Sequence, residues 1–113
     1  MDSRLPARLE ASSLVRRAEV EGGSGMILAR GDPDRGALVL LIAHRGTHVA
    51  CLERGIGDGG AYSWQTVGPK AGAGDDELRD WSQKRRRFDP DLWLIELDVP
   101  LPERFIAETT SIG

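Results

Sequence analysis

A single cysteine, Cys51, in a chain of 113 residues rules out an internal disulfide. Chains without disulfides suit a reducing compartment, so a cytoplasmic location is expected. Long apolar runs are also missing. The longest, "ALVLLIA" (37–43), is far shorter than the ~20 residues a membrane span requires, and no membrane association is expected. The opening "MDSRLPARLE" places charges where a signal peptide would carry a hydrophobic stretch, so no export signal is read there. Nor is there a surplus of positive charge. The formal net charge is −3, and binding a polyanion would need a local basic face set against that total. What remains is 40% apolar and 29% charged, the balance of an ordinary globular chain. Its length suits one domain over residues 1–113, large enough to bury roughly two-thirds of its unfolded surface.

The periodicity then gives the elements. Pro6 fits the first turn of a helix, where its missing N–H is not needed. Ala7, Ala11, Leu14, Val15 and Ala18 fall within about 100° of one helical face, and their small size suggests close approach to a sheet. Leu5, Leu9 and Val20 lie off that stripe, and Gly22-Gly23 ends the helix. Strands follow. "MILAR" (26–30) and "ALVLLIAH" (37–44) flank the turn formers "GDPDRG" and read as a hairpin. The second of them is apolar on both faces, as in a central strand covered on both sides. "RGT" (45–47) reads as a three-residue hairpin loop into "HVACLER" (48–54). "YSWQTV" (62–67) and "LWLIEL" (92–97) are the last strands, and the tail "PLPERFIAETTSIG" shows little periodicity. The expected fold is α+β, a mostly antiparallel sheet of about five strands with two helices, in the order α-β-β-β-β-α-β.

The second helix is read over 75–87. It begins with Asp75, Asp76 and Glu77 and ends with Lys84 to Arg87, the charge order that the helix dipole favours. Between Asp75 and Asp91 six acids stand against five bases, so the run "KRRR" reads first as a solvated helix end and only second as a phosphate contact. Leu78, Trp81 and Phe88 mark the apolar face, and Arg85 falls in the middle of it. A guanidinium there either snorkels along its stem or finds a carboxylate. Asp89 and Asp91, around Pro90, are the expected partners, an ion pair that would lock the helix to the fifth strand.

Chemistry-bearing constellations are sparse. His44 and His48 flank the hairpin loop and could face each other across two strands, with Cβ atoms ~5 Å apart. Cys51, three residues beyond His48, should point to the opposite face, so no third ligand is evident and no metal site is assigned. The glycines at 55, 57, 59 and 60 precede a strand rather than a helix, unlike a dinucleotide fingerprint. "VGPKAGAG" does lead into a helix, but Asp75, Asp76 and Glu77 occupy the terminus that would receive phosphate. Arg30-Gly31-Asp32 spells an adhesion tripeptide and reads as a turn. No catalytic residue and no cofactor is assigned.

Three blocks, "RLPARLEASSLVRRA", "ILARGDPDRGALVL" and "FDPDLWLIELDVPLPERFI", together resemble the domain-of-unknown-function 1491 family, small proteins of alphaproteobacteria. The block from Asp89 to Asp98 is the most specific part. The resemblance implies a bacterial cytoplasmic protein and carries over no catalytic residues.

Three function classes are therefore expected to compete. The first is a non-enzymatic module that binds a protein partner or a second copy of itself as a homodimer, with Trp64 as an exposed contact. The second is nucleic-acid binding through Arg16, Arg17, Arg86 and Arg87, if both helix ends lie side by side. The third is a small enzyme with a pocket near His44 and His48.

Overall fold

The computed structural model describes residues 5–56 and 62–111. Part of the glycine-rich loop read at 55–60 therefore lies outside the described residues. Eight elements follow in order: α1 (Ala7–Val20), β1 (Ser24–Ala29), β2 (Leu38–His44), β3 (Thr47–Ile56), β4 (Tyr62–Val67), α2 (Asp75–Phe88), β5 (Trp93–Asp98) and α3 (Pro102–Thr110). The strands form one sheet in the order β1-β5-β2-β3-β4. Three pairings are antiparallel, but β5 runs parallel to β2, so the sheet is mixed.

Strand β5 separates β1 from β2, so these two do not form the expected hairpin. The "GDPDRG" segment instead bridges the start of β5. The N–H of Asp32 donates to the carbonyl of Asp91, and Trp93 donates its indole N–H to the carbonyl of Asp32 at 2.7 Å. The same segment caps α1, because the first free N–H groups of the helix, from Ala7 and Arg8, donate to the carbonyls of Asp34 and Pro33. The Asp32 carboxylate accepts the N–H groups of Asp34 and Arg35, which closes the turn and lowers its pKa.

One face of the sheet is covered by α1 and α3, the other by α2. On the first, Ala7, Ala11, Leu14 and Ala18 pack with Leu40, Ile42, Leu52, Trp93 and Ile95. The small residues bring α1 close to β1. A Cβ on Gly25 would sit 3.1 Å from the Val15 Cα. On the second face Val39, Leu41, Cys51, Leu92 and Leu94 meet Leu78 and Trp81 of α2. The apolar run of β2 is thus buried on both faces, as its sequence required.

A third helix stands in the tail, where the sequence shows little periodicity. Pro102 occupies its first turn, and Phe105 is fully buried beneath it. Arg17 fastens this helix to α1. It donates to the Phe105 carbonyl and the Thr109 hydroxyl, both at 2.9 Å, and its guanidinium stacks 3.8 Å from the Phe105 ring. The β2–β3 connection has two residues, not three. Arg45 and Gly46 both take positive φ (50° and 80°), the signature of a type I′ turn, and His44 pairs with Thr47. Both turn N–H groups donate to the Asp98 carboxylate, at 2.9 and 2.8 Å.

A candidate ligand pocket between α2 and the sheet

Two β-bulges shape the α2 face. In β1 the register shifts between Ile27 and Ala29, so that Leu28 and Ala29 stand together opposite Leu94. In β3 the register shifts opposite Ile42/Ala43, which puts one extra residue between His48 and Ala50. That extra residue changes the alternation. His48 and Cys51, expected on opposite faces, lie on the same one, with 3.8 Å from the thiol to Nε2. His44 and His48, expected together, are parted. The His44 Nδ1 lies 3.0 Å from the Val99 carbonyl, whereas His48 pairs with Ala43 and lines the α2 side.

Between α2 and the sheet lies a pocket of about 560 Å³, within the size range of small-molecule sites. Its floor is apolar: Leu28 and Ala29 from β1, Leu41 and Ala43 from β2, and Leu94 from β5, with Glu96 beyond. Its wall is the flank of α2, Asp75, Arg79, Ser82, Gln83 and Arg86, with Leu78 at the seam. Gly46 and His48 close the hairpin end. On a wheel of 100° per residue, Arg79, Ser82 and Arg86 share one side of the helix, next to the line that packs on the sheet. Ser82 belongs to both. Its side chain is buried (5% exposed), yet among the described residues its hydroxyl has no hydrogen-bond partner.

The polar groups differ in how they are held. Arg86 is half-buried, and its Nη1 donates to the carbonyls of Arg30 (3.0 Å) and Leu92 (2.9 Å). Among the described residues it has no carboxylate within ion-pair distance. Glu96 is exposed and likewise forms no ion pair. The His48 Nε2 faces the Pro69 carbonyl at 3.0 Å. A carbonyl can only accept, so Nε2 carries the proton and is not free to take one from Cys51. Burial pushes that thiol up to about 12. A protonated thiol beside an engaged imidazole is not an activated nucleophile. Among the described residues no group of three or more His, Cys, Asp or Glu is placed to hold a metal ion.

The other expected site residues are scattered. Arg85 does not pair with Asp89 or Asp91. Its Nε and Nη2 reach Oε1 of Glu53 on β3, at 3.0 and 2.6 Å. The crossover carries α2 over β3, whereas the Asp89 carboxylate turns back to accept the N–H of Asp91. Phe88, read as part of the apolar face, is the last residue of α2 and is 87% exposed. Trp64 is half-buried and packs on the α1 face of the sheet, near the Arg54 guanidinium, so it is not a free contact surface. Arg16 and Arg17 on α1, and Arg86 and Arg87 on α2, lie on opposite faces of the sheet. The joint basic patch that nucleic-acid binding needed does not assemble, and Arg17 and Arg86 serve as clips to backbone carbonyls instead. Of the pocket expected near His44 and His48, only His48 lines the one found, and its α2 wall and apolar floor were not anticipated. Its one visible trace was a serine on the inner side of a helix otherwise rich in charge.

The fold has solved counterparts. A crystal structure of a DUF1491 family protein from Caulobacter crescentus CB15 matches with a TM-score of 0.75 at 22% identity, covering 90% of this chain and 94% of that one. An NMR structure of a DUF1491 family protein from the same organism gives 0.76 at 23% identity, over 89% and 91%. A solution structure of a protein from A. tumefaciens gives 0.70 at 25% identity, over 85% and 86%. These likenesses establish the fold. No helix among the described residues is long and apolar enough to cross a membrane. No curated protein matches the chain. The model of the family described as "Protein of unknown function (DUF1491)" matches residues 5–107, and the chain belongs to that family.

Proposed function

We propose that the protein is a non-enzymatic binding module and that its working site is the pocket between α2 and the sheet. The observation that supports this most is the pocket itself, an apolar floor faced by a polar helix flank with an unpartnered buried hydroxyl. The enzyme reading lacks its constellation, since His44 and His48 are on different faces and Cys51 is held protonated. A fragment screen on 15N-labelled protein tests the proposal. Binding compounds should shift the amides of Leu28, Ala29, Ser82 and Leu94 together. Hits that fall only elsewhere would refute it, as would turnover of any bound compound.

A second reading is protein interaction. Among the described residues the outer edge of β1 is unpaired, and its Met26 and Leu28 are 60% and 43% exposed. Such an edge favours sheet extension by a partner strand or a second copy. If self-association uses it, Met26→Lys should turn a dimer into a monomer in sedimentation experiments. A wild-type protein that sediments as a monomer at all concentrations leaves only the hetero-partner form of this reading.

A further inference from the structure

We infer that the pocket takes a small carboxylic acid with an apolar body, its carboxylate held between Ser82 and Arg86. This deepens the binding-module reading and rests on it. Arg86 carries the argument. The residue is half-buried, yet among the described residues its only partners are two neutral carbonyls, both bonded through Nη1. A cation drawn partly out of water without a counterion is unfavourable, and a bound anion would relieve it. The carbonyl bonds also hold the side chain in place and use only Nη1, so Nε and Nη2 remain as donors for a planar carboxylate.

Ser82 is the independent second observation. It lies one turn before Arg86 on the same pocket wall, buried, with no partner for its hydroxyl. A hydroxyl and a guanidinium four residues apart, about 6 Å along the axis, can bracket a single carboxylate once the Ser82 hydroxyl turns toward the pocket. The charges around them select the head group. Asp75 and Glu96 line the same pocket and would repel a phosphate dianion more strongly than a monoanion. Both acids are exposed, so water already solvates them and neither demands a cationic ligand. The apolar floor of Leu28, Ala29, Leu41 and Leu94 takes the body of the acid.

The test uses the full chain and two matched series, saturated fatty acids of six to fourteen carbons and the primary alcohols of the same lengths. Calorimetry gives affinities, and 15N spectra locate binding. The expected result is an acid that shifts Ser82, Arg86 and Leu94 and binds about tenfold or more tightly than its alcohol, the difference a charge-assisted hydrogen bond supplies. Ser82→Ala should weaken acid binding without lowering the Tm of the ligand-free protein, because an unpartnered hydroxyl has no bond to lose. Equal binding of acids and alcohols at these residues would overturn the carboxylate anchor and leave the binding-module reading standing. No shift at α2, β1 or β5 with either series would overturn both. A Ser82→Ala variant that loses Tm but keeps its acid affinity would make the hydroxyl structural and sink the assignment.

Discussion

At the scale of single residues, environment rather than identity sets the chemistry. Cys51 looks like a reactive thiol beside a histidine, but it is fully buried and its pKa is pushed up to about 12. The folded state therefore holds the proton more tightly than the unfolded chain, where a thiol titrates near about 8.5. The resulting contribution to stability is fully present below about pH 8.5 and is lost as pH rises toward 12. Urea unfolding of wild type and Cys51→Ala across pH 8 to 11 should show the wild type losing up to about 1.4 kcal/mol per pH unit relative to the variant. Parallel curves would mean that the thiol is not held by burial. Arg85 makes the same point. The wheel placed it on the inner face of α2, and only the sheet order could say that Glu53 waits there.

At the scale of elements, α3 is the instructive case. The tail has two prolines and little periodicity, yet Pro102 starts a helix of nine residues. Most of its stability comes from tertiary packing, since a helix this short is marginal alone. Phe105 supplies that packing and also carries the Arg17 clip. Phe105→Ala should lower the unfolding free energy by about 3–5 kcal/mol in denaturant titrations. A loss below about 1 kcal/mol would show that α3 is an ornament on the α1 face. The second helix was legible end to end from its charge order, and its bounds came within one residue. What its sequence could not show was that it stands beside the sheet with a flank left over to wall a pocket.

At the scale of the whole molecule, layer assignment decides which functional readings survive. Placing α1 and α3 on one face and α2 on the other separates the two basic helix ends and dissolves the nucleic-acid patch. The same arrangement opens the pocket next to the β1 edge, which no strand among the described residues pairs. Much of the fold was readable: five strands, the small-residue stripe of α1, and a central strand buried on both sides. Very little of the candidate site was. Leu28 and Ala29 share the pocket because of a bulge, and His48 meets Cys51 because of another. A one-residue bulge reverses the side-chain alternation beyond it, and composition carries no signal for that reversal.

The sequence by itself determined the local matters, those governed by period, capping and charge along a single element: where α1, α2 and the strands lie, and which face of α1 is core. Tertiary structure alone decided the insertion of β5 between β1 and β2, the partner of Arg85, the separation of the histidines and the existence of the pocket. Those depend on contacts between segments far apart in the chain, and propensity and periodicity act only within one segment.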